Sequence, residues 1–279
     1  MTARVAVVGI DGSGKTSVIE RLCELVDDNQ AGAVAMHCPD FHDNRDVPAA
    51  ELSRQLRAVG EAADRASDAR IKAATLFLRI TMFGQVEKFL RERHRPGLMI
   101  SERHPIVETM VYAPVYQRLV ASSRTPDETI AAIFADADRQ CRGASAALLD
   151  WQAQIVARSG LAADLPTVVD DVAALVSGGP AAAAAALGEV CETTLPDLVL
   201  WLDTPPEVCA ARLAQRAERE IHEDPATLRK LRARYEQTSQ ELAEEFGPAM
   251  ISRVDVTGLD GVEAYARRCL AAVEFAGLA

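Results

Sequence analysis

The stretch Gly9-Ile10-Asp11-Gly12-Ser13-Gly14-Lys15-Thr16 fits the pattern G-x-x-x-x-G-K-[ST] at every fixed position. Ahead of it runs Val5-Ala6-Val7-Val8, a short apolar, β-branched run that reads as a buried strand. Behind it, residues 17 to 26 carry apolar side chains at helical spacing. Strand, glycine loop and helix in that order are the context that makes the pattern a phosphate site. Glycines let the backbone wrap closely round an anion, and successive N–H groups then point inward. The helix N-terminus adds the positive end of its dipole. Asp11, Gly12, Ser13, Gly14, Lys15, Thr16 and Ser17 are therefore the expected cradle for the phosphates of ATP. Lys15 can reach the β- and γ-phosphates, and the Thr16 hydroxyl can ligate Mg²⁺. The plainer reading is a tight strand-to-helix turn with a chance lysine, and the flanking strand and helix argue against it.

The chain has 279 residues, enough for one large α/β domain carrying an insertion. Hydrophobic residues make up 49%, which supports a sizeable core, and with aromatics at only 5% and alanine abundant, helices should dominate. The net charge of −11 counts against a general nucleic-acid binder or a partner of anionic membranes. Phosphate substrates must then be captured by local arginines against an acidic background. The six cysteines show no C-x-x-C or zinc-like spacing and read as reduced, buried thiols of a cytoplasmic protein. No signal peptide is visible, and no apolar run approaches the ~18 residues of a membrane span.

Further strands are expected at 33–38, 98–101, 198–202 and 249–255, alternating with helices. This predicts a P-loop NTPase-type α/β fold, with a five-stranded parallel sheet flanked by helices. Helices are expected at 48–66, 67–93, 225–245 and 261–275. The segment 115–195 holds no convincing strand and reads as a helical insertion within a single domain spanning 1–279. Within it, apolar residues from Ile130 to Ile155 recur at spacings of four and three, which makes one helix face. Core packing is the plain reading of that face; a homodimer seam or a cover over the substrate is the sharper one. Strand 2 leads into Pro39-Asp40-Phe41-His42, and strand 3 delivers Glu102-Arg103-His104-Pro105 to the sheet edge where ligands of parallel sheets sit. Arg212, Arg216 and Arg219 share one helical face within a charged segment, 212–224, and their mutual repulsion would be relieved by an anion. That segment reads as a lid, or as a solvated stretch paired with neighbouring glutamates.

These features together resemble the thymidylate kinase and deoxynucleoside kinase superfamily. Aspartate at the third position of the loop is typical of thymidylate kinases. Glu102-Arg103-His104-Pro105-Ile106, with Tyr112 downstream, is similar to the Asp-Arg-His-Pro motif of herpesvirus-type thymidine kinases, and Arg79-Ile80-Thr81-Met82 to their Gln-Ile-Thr-Met segment. The resemblance implies that Met82 and Tyr112 hold a flat ring, with Arg79 and Phe41 beside the acceptor. It implies that Glu102 orients Mg²⁺ and that Arg103 contacts the acceptor oxygen or its phosphate. Each residue also has a structural reading: a helix N-terminal carboxylate for Glu102, an ion pair for Arg103, core packing for Met82 and Tyr112. Asp40 reads as the group that accepts the acceptor proton, or as a turn former. Asp11 reads as a water-mediated Mg²⁺ neighbour or a loop cap. Arg216 and Arg219 would stabilise the transferring phosphoryl group, with Arg212 beside the nucleotide.

One departure narrows the acceptor. Arg79 stands where those kinases use a base-reading glutamine. Arginine has donors and no acceptor, so it suits guanine, a carboxylate or a phosphate rather than a thymine edge. The expected activity is therefore ATP- and Mg²⁺-dependent phosphoryl transfer to a small-molecule acceptor, a nucleoside 5′-hydroxyl or a nucleoside monophosphate. The alternatives are a kinase for a non-nucleotide metabolite and a non-catalytic nucleotide-binding protein.

Overall fold

The computed structural model describes residues 2–28, 32–121, 124–161, 164–215, 224–256 and 261–278. Five short apolar runs become strands: β1 (Ala3–Val8), β2 (Ala33–His37), β3 (Leu98–Glu102), β4 (Leu198–Asp203) and β5 (Ile251–Asp255). They form one sheet in the order β2-β3-β1-β4-β5, and every pairing is parallel. All six residues of β4 are buried, as expected where helices cover both faces of a parallel sheet.

The chain divides into two compact units, 1–38 with 87–108 and 195–279, and 39–86 with 109–194. The first holds the whole sheet. It also holds α1 (Lys15–Asp28) and, near the C-terminus, α10 (Pro206–Leu213), α11 (Pro225–Phe246) and α12 (Gly261–Phe275). Val18, Ile19 and Leu22 of α1 and Cys269 and Val273 of α12 close one core with Val5, Ile100 and Leu200 of the sheet. The second unit is helical: α2 (Ala50–Arg65), α3 (Ala69–Ile80), α6 (Asp127–Gln140), α7 (Ala144–Ser159), α8 (Val168–Val176) and α9 (Pro180–Cys191). It contains most of the segment read as an insertion. Two helices, α4 (Phe83–His94) and α5 (Pro105–Val120), contribute residues to both units. All six cysteines are free; Cys38, Cys191, Cys209 and Cys269 are buried, whereas Cys23 and Cys141 are partly exposed.

Two helices expected as continuous are broken. The stretch 67–93 divides into α3 and α4 at Thr81-Met82. The Thr81 hydroxyl donates to the Leu78 carbonyl at 2.7 Å and accepts from the Trp151 indole at 2.9 Å. The Met82 amide turns back to the Arg79 carbonyl at 3.2 Å, a tighter turn than the α-helix uses. Likewise 130–155 divides into α6 and α7 at Gly143, whose φ of +78° is open to glycine and strained for most other residues. The apolar period nevertheless carries across the break, since Ala137, Leu148, Trp151 and Ile155 are all buried.

Gly84, in the first turn of α4, lies against the last carbonyls of α9. A Cβ there would stand 2.2 Å from the Glu192 oxygen and 2.6 Å from that of Cys191. Backbone has to move to admit a methyl group. Gly84→Ala is therefore expected to cost about 1–3 kcal/mol, a fall of a few degrees in melting temperature. An unchanged or higher melting temperature in a thermal unfolding scan would contradict this packing.

Candidate active site

Parallel pairing brings the ends of neighbouring strands to one edge. Val7 of β1 and His37 of β2 both sit opposite Glu102 of β3, so the glycine loop and Glu102 emerge side by side. The loop then turns directly into α1, which begins at Lys15. Thr16 Oγ1 donates to the Glu102 carboxylate, 3.0 Å from Oε1 and 3.1 Å from Oε2, and His37 Nδ1 lies 3.5 Å from Oε2. Burial by itself would raise the Glu102 pKa. The His37 hydrogen bond, the charges of Lys15 and Arg103, and the Thr16 hydroxyl outweigh it, so Glu102 is held below the usual carboxylate range.

Lys15 is buried, and its ammonium donates to the carbonyls of Gly9 at 3.0 Å and Ile10 at 3.1 Å, with Asp11 Oδ1 at 4.0 Å. Burial lowers its pKa and the nearby Arg103 pushes the same way, against Asp11, Glu102 and Glu108. Gly12 shows why the loop needs glycine. Its φ is +81°, and a Cβ would fall 2.7 Å from the Cys209 carbonyl. The Ser13 hydroxyl is fully buried in this cradle and has no hydrogen-bond partner among the described residues. An orphaned hydroxyl, a buried ammonium and a glycine-lined backbone fit a phosphate chain. The oxygens of Thr16 and Glu102 fit Mg²⁺. Among the described residues no group of three His, Cys, Asp or Glu side chains is arranged to hold a metal, so Mg²⁺ here would draw its other ligands from phosphate and water.

Asp11, read from the sequence as a metal neighbour or a loop cap, accepts a charge-assisted hydrogen bond from Arg103 Nη2, a partner that neither reading named. Arg103 has a φ of +65°, and its amide donates to the Val7 carbonyl at 2.9 Å. Its other Nη reaches Glu108 Oε2 at 2.6 Å. Arg212, in the last turn of α10, donates to the Gly12 carbonyl at 3.1 Å and so touches the cradle itself. Arg216 and Arg219, and most of the lid segment, lie outside the described residues. Ser17 is exposed at the start of α1.

The second unit carries the other expected residues. Arg79 of α3 is buried, and its Nη2 donates to Asp40 Oδ1, while Arg57 Nη1 of α2 lies 3.7 Å from the same oxygen. The Nε of Arg79 is buried without a hydrogen-bond partner among the described residues. Phe41 and Met82 are fully buried. Tyr112 keeps part of its surface exposed and stacks on Tyr116, with centroids 6.3 Å apart.

Several residues of interest gave no signal that the sequence could carry. Arg57 sits on the polar face of an amphipathic helix, like any solvated arginine. Glu108 and Tyr235 look like ordinary helix residues. Asp203 was legible only as the acid that ends an apolar run. Its buried carboxylate accepts from Arg232 Nε at 2.7 Å and Arg253 Nε at 2.9 Å, and the Arg253 guanidinium lies 5.0 Å from the centroid of the Trp201 ring. Burial would raise the Asp203 pKa, but the two guanidiniums more than offset it and the net shift is downward.

No protein-family model matches the chain, and no curated protein matches it in sequence. Solved structures do match. A deoxyadenosine kinase from M. mycoides with bound dCTP aligns over 98% of this chain and 99% of its own, at 11% identity and a TM-score of 0.50. The same kinase with products dCMP and a flexible dCDP aligns with the same coverage and identity, at a TM-score of 0.49. The likeness is one of fold. The five-stranded parallel sheet expected from the sequence is present here, and the fold is similar to that of the dCTP-bound kinase. No described helix is long and apolar enough to cross a membrane.

Two outcomes are expected from this site. Lys15→Ala should weaken binding of inorganic triphosphate to the glycine loop by about tenfold or more, the scale of one hydrogen bond to a charged group, with the circular dichroism spectrum retained. Asp203 should make stability acid-sensitive. Its folded pKa lies below the unfolded value of about 3.9, so its stabilisation is complete above about pH 5 and is lost as pH falls through the folded pKa. The melting temperature of Asp203→Asn should accordingly fall less steeply than that of wild type between about pH 5 and pH 3. Parallel slopes would remove Asp203 from the acid response.

Proposed function

We propose that the protein is an ATP- and Mg²⁺-dependent kinase whose acceptor is a nucleoside or a nucleoside monophosphate. The observation that carries this reading is the contact between Thr16 and Glu102 beside the buried ammonium of Lys15. A structural turn has no need of a carboxylate on the Thr16 hydroxyl. The shared fold with a deoxyadenosine kinase supports the same reading.

In the reaction, a bond forms between the acceptor oxygen and the γ-phosphorus and the bond to the departing ADP oxygen breaks; a nucleoside hydroxyl passes its proton to the Asp40 carboxylate, whereas a monophosphate attacks through an oxygen that is already ionised. Thr16 and Glu102 would hold Mg²⁺, which would supply charge neutralisation on the donor phosphates. The chain does the rest by positioning. Lys15 and the glycine loop would hold the donor phosphates, with Arg212, which donates to the Gly12 carbonyl, beside them. The Arg103 guanidinium, held by Asp11 and Glu108, is assigned to the acceptor oxygen or its phosphate. Arg216 and Arg219 belong to this reading as lid residues over the phosphates.

On the acceptor side, Asp40 orients the nucleophile and Arg79 reads the acceptor. Two donors of Arg79 matter here: Nη2 is bonded to Asp40, while Nε is buried and unfilled. A buried guanidinium with a spare donor favours an acceptor-rich edge, such as the O6 and N7 edge of guanine, or a phosphate. Tyr112 offers its partly exposed ring to the base, and Met82 and Phe41 support that side from the core.

ADP release from ATP and Mg²⁺ across a panel of nucleosides and nucleoside monophosphates tests the proposal. Guanine acceptors should give the highest kcat/KM. Arg79→Gln should shift preference away from them by about tenfold or more, the scale of one bidentate base contact. Turnover that requires a monophosphate and ignores the base would make Arg79 a phosphate clamp and support the assignment; silence on every acceptor would overturn it.

A further inference from the structure

Arg103 is held by more than its own strand. Its φ of +65° lies where L side chains are rarely found, and its backbone is fixed by the Val7 carbonyl. The guanidinium then bridges two carboxylates, Asp11 of the glycine loop through Nη2 and Glu108 of α5 through Nη1. Gripping a planar fork at both terminal nitrogens fixes its plane as well as its position. Glu108 is itself buried, and its second oxygen accepts from the Tyr235 hydroxyl of α11. The Glu108 carboxylate therefore cannot rotate without breaking a bond. Tyr235 is fully buried, and its ring stacks on Trp201 of β4, with centroids 6.2 Å apart and planes 14° from parallel. Phenylalanine would fill that space equally well. The hydroxyl, costly to bury unless bonded, is present for Glu108.

We propose that Glu108 and Tyr235 are positioning residues for Arg103, and that α11 thereby sets the orientation of the guanidinium beside the glycine loop. The inference rests on the kinase reading for its catalytic consequence. Tyr235 touches neither nucleotide nor acceptor in this scheme. It acts through Glu108 on Arg103, the residue that the kinase reading assigns to the acceptor oxygen or its phosphate.

Tyr235→Phe keeps the ring on Trp201 and removes only the hydroxyl. We expect kcat with the best acceptor to fall about tenfold, KM for ATP to stay within about twofold, and the fold to be retained. In an Arg103→Lys background the same change should cost less than about twofold, because no fork remains to be positioned. Wild-type kcat in Tyr235→Phe, or equal losses in both backgrounds, overturns the proposal. A second readout needs no turnover. In ¹⁵N-arginine NMR spectra, the Nη signals that vanish in Arg103→Lys should be resolved and slowly rotating in wild type, and averaged in Tyr235→Phe. Unchanged Nη signals overturn the proposal whether or not any acceptor is phosphorylated. Averaged signals in a protein that turns over no acceptor would support the relay and refute the kinase reading alone.

Discussion

The parallel register between β1 and β3 is the constraint on which the candidate site depends. It sets Val7 opposite Glu102, and from that pairing the rest of the geometry around the glycine loop follows. The loop after β1 and the acid at the end of β3 must then meet, and Thr16 reaches Glu102 without any further device. The Arg103 amide bonds back to Val7, which turns the chain sharply at the strand end and directs the guanidinium toward Asp11. A one-residue slip between these strands would move every side chain of β3 to the opposite face and undo all of these contacts together. Burial of β1, β3 and β4 in a continuous apolar core is what holds the register.

The protein is acidic, yet the candidate site draws cations out of water, Lys15 and Arg79 to full burial and Arg103 to partial burial. Each is taken out of water only alongside an acceptor. Lys15 has loop carbonyls and Asp11, Arg103 has Asp11 and Glu108, and Arg79 has Asp40. Desolvation of an unpaired cation costs several kcal/mol, so such pairings are required simply for the chain to fold. They also orient the donors. Asp203 inverts the arrangement, with one buried carboxylate drawing in two more exposed guanidiniums.

Much of this was legible in the chain. The glycine loop, the acid and arginine after β3, and the five strands follow from local chemistry: glycine where backbone must approach an anion, β-branched runs where a strand is buried, and polar residues at strand ends. Helix continuity was less legible. The apolar period runs unbroken from Ile71 to Phe89 and from Ile130 to Ile155, because residues on both sides of each break face a core. What breaks the first helix is a threonine shared between a backbone carbonyl and the Trp151 indole, more than sixty residues away in sequence. Periodicity records which face is buried and is blind to such a bond.

By itself, then, the sequence determined the strand-loop-helix cradle, the parallel α/β class and the identity of the residues at the sheet edge, since each depends on neighbours within a few positions. Only the tertiary structure decided the partners of those residues. Asp11 meets Arg103, Glu108 meets Tyr235, and Arg57 joins Arg79 at Asp40 across separations that no local pattern encodes. A charged side chain in sequence announces that it needs a partner when buried. Which partner it finds is set by where the packed core brings distant backbone together.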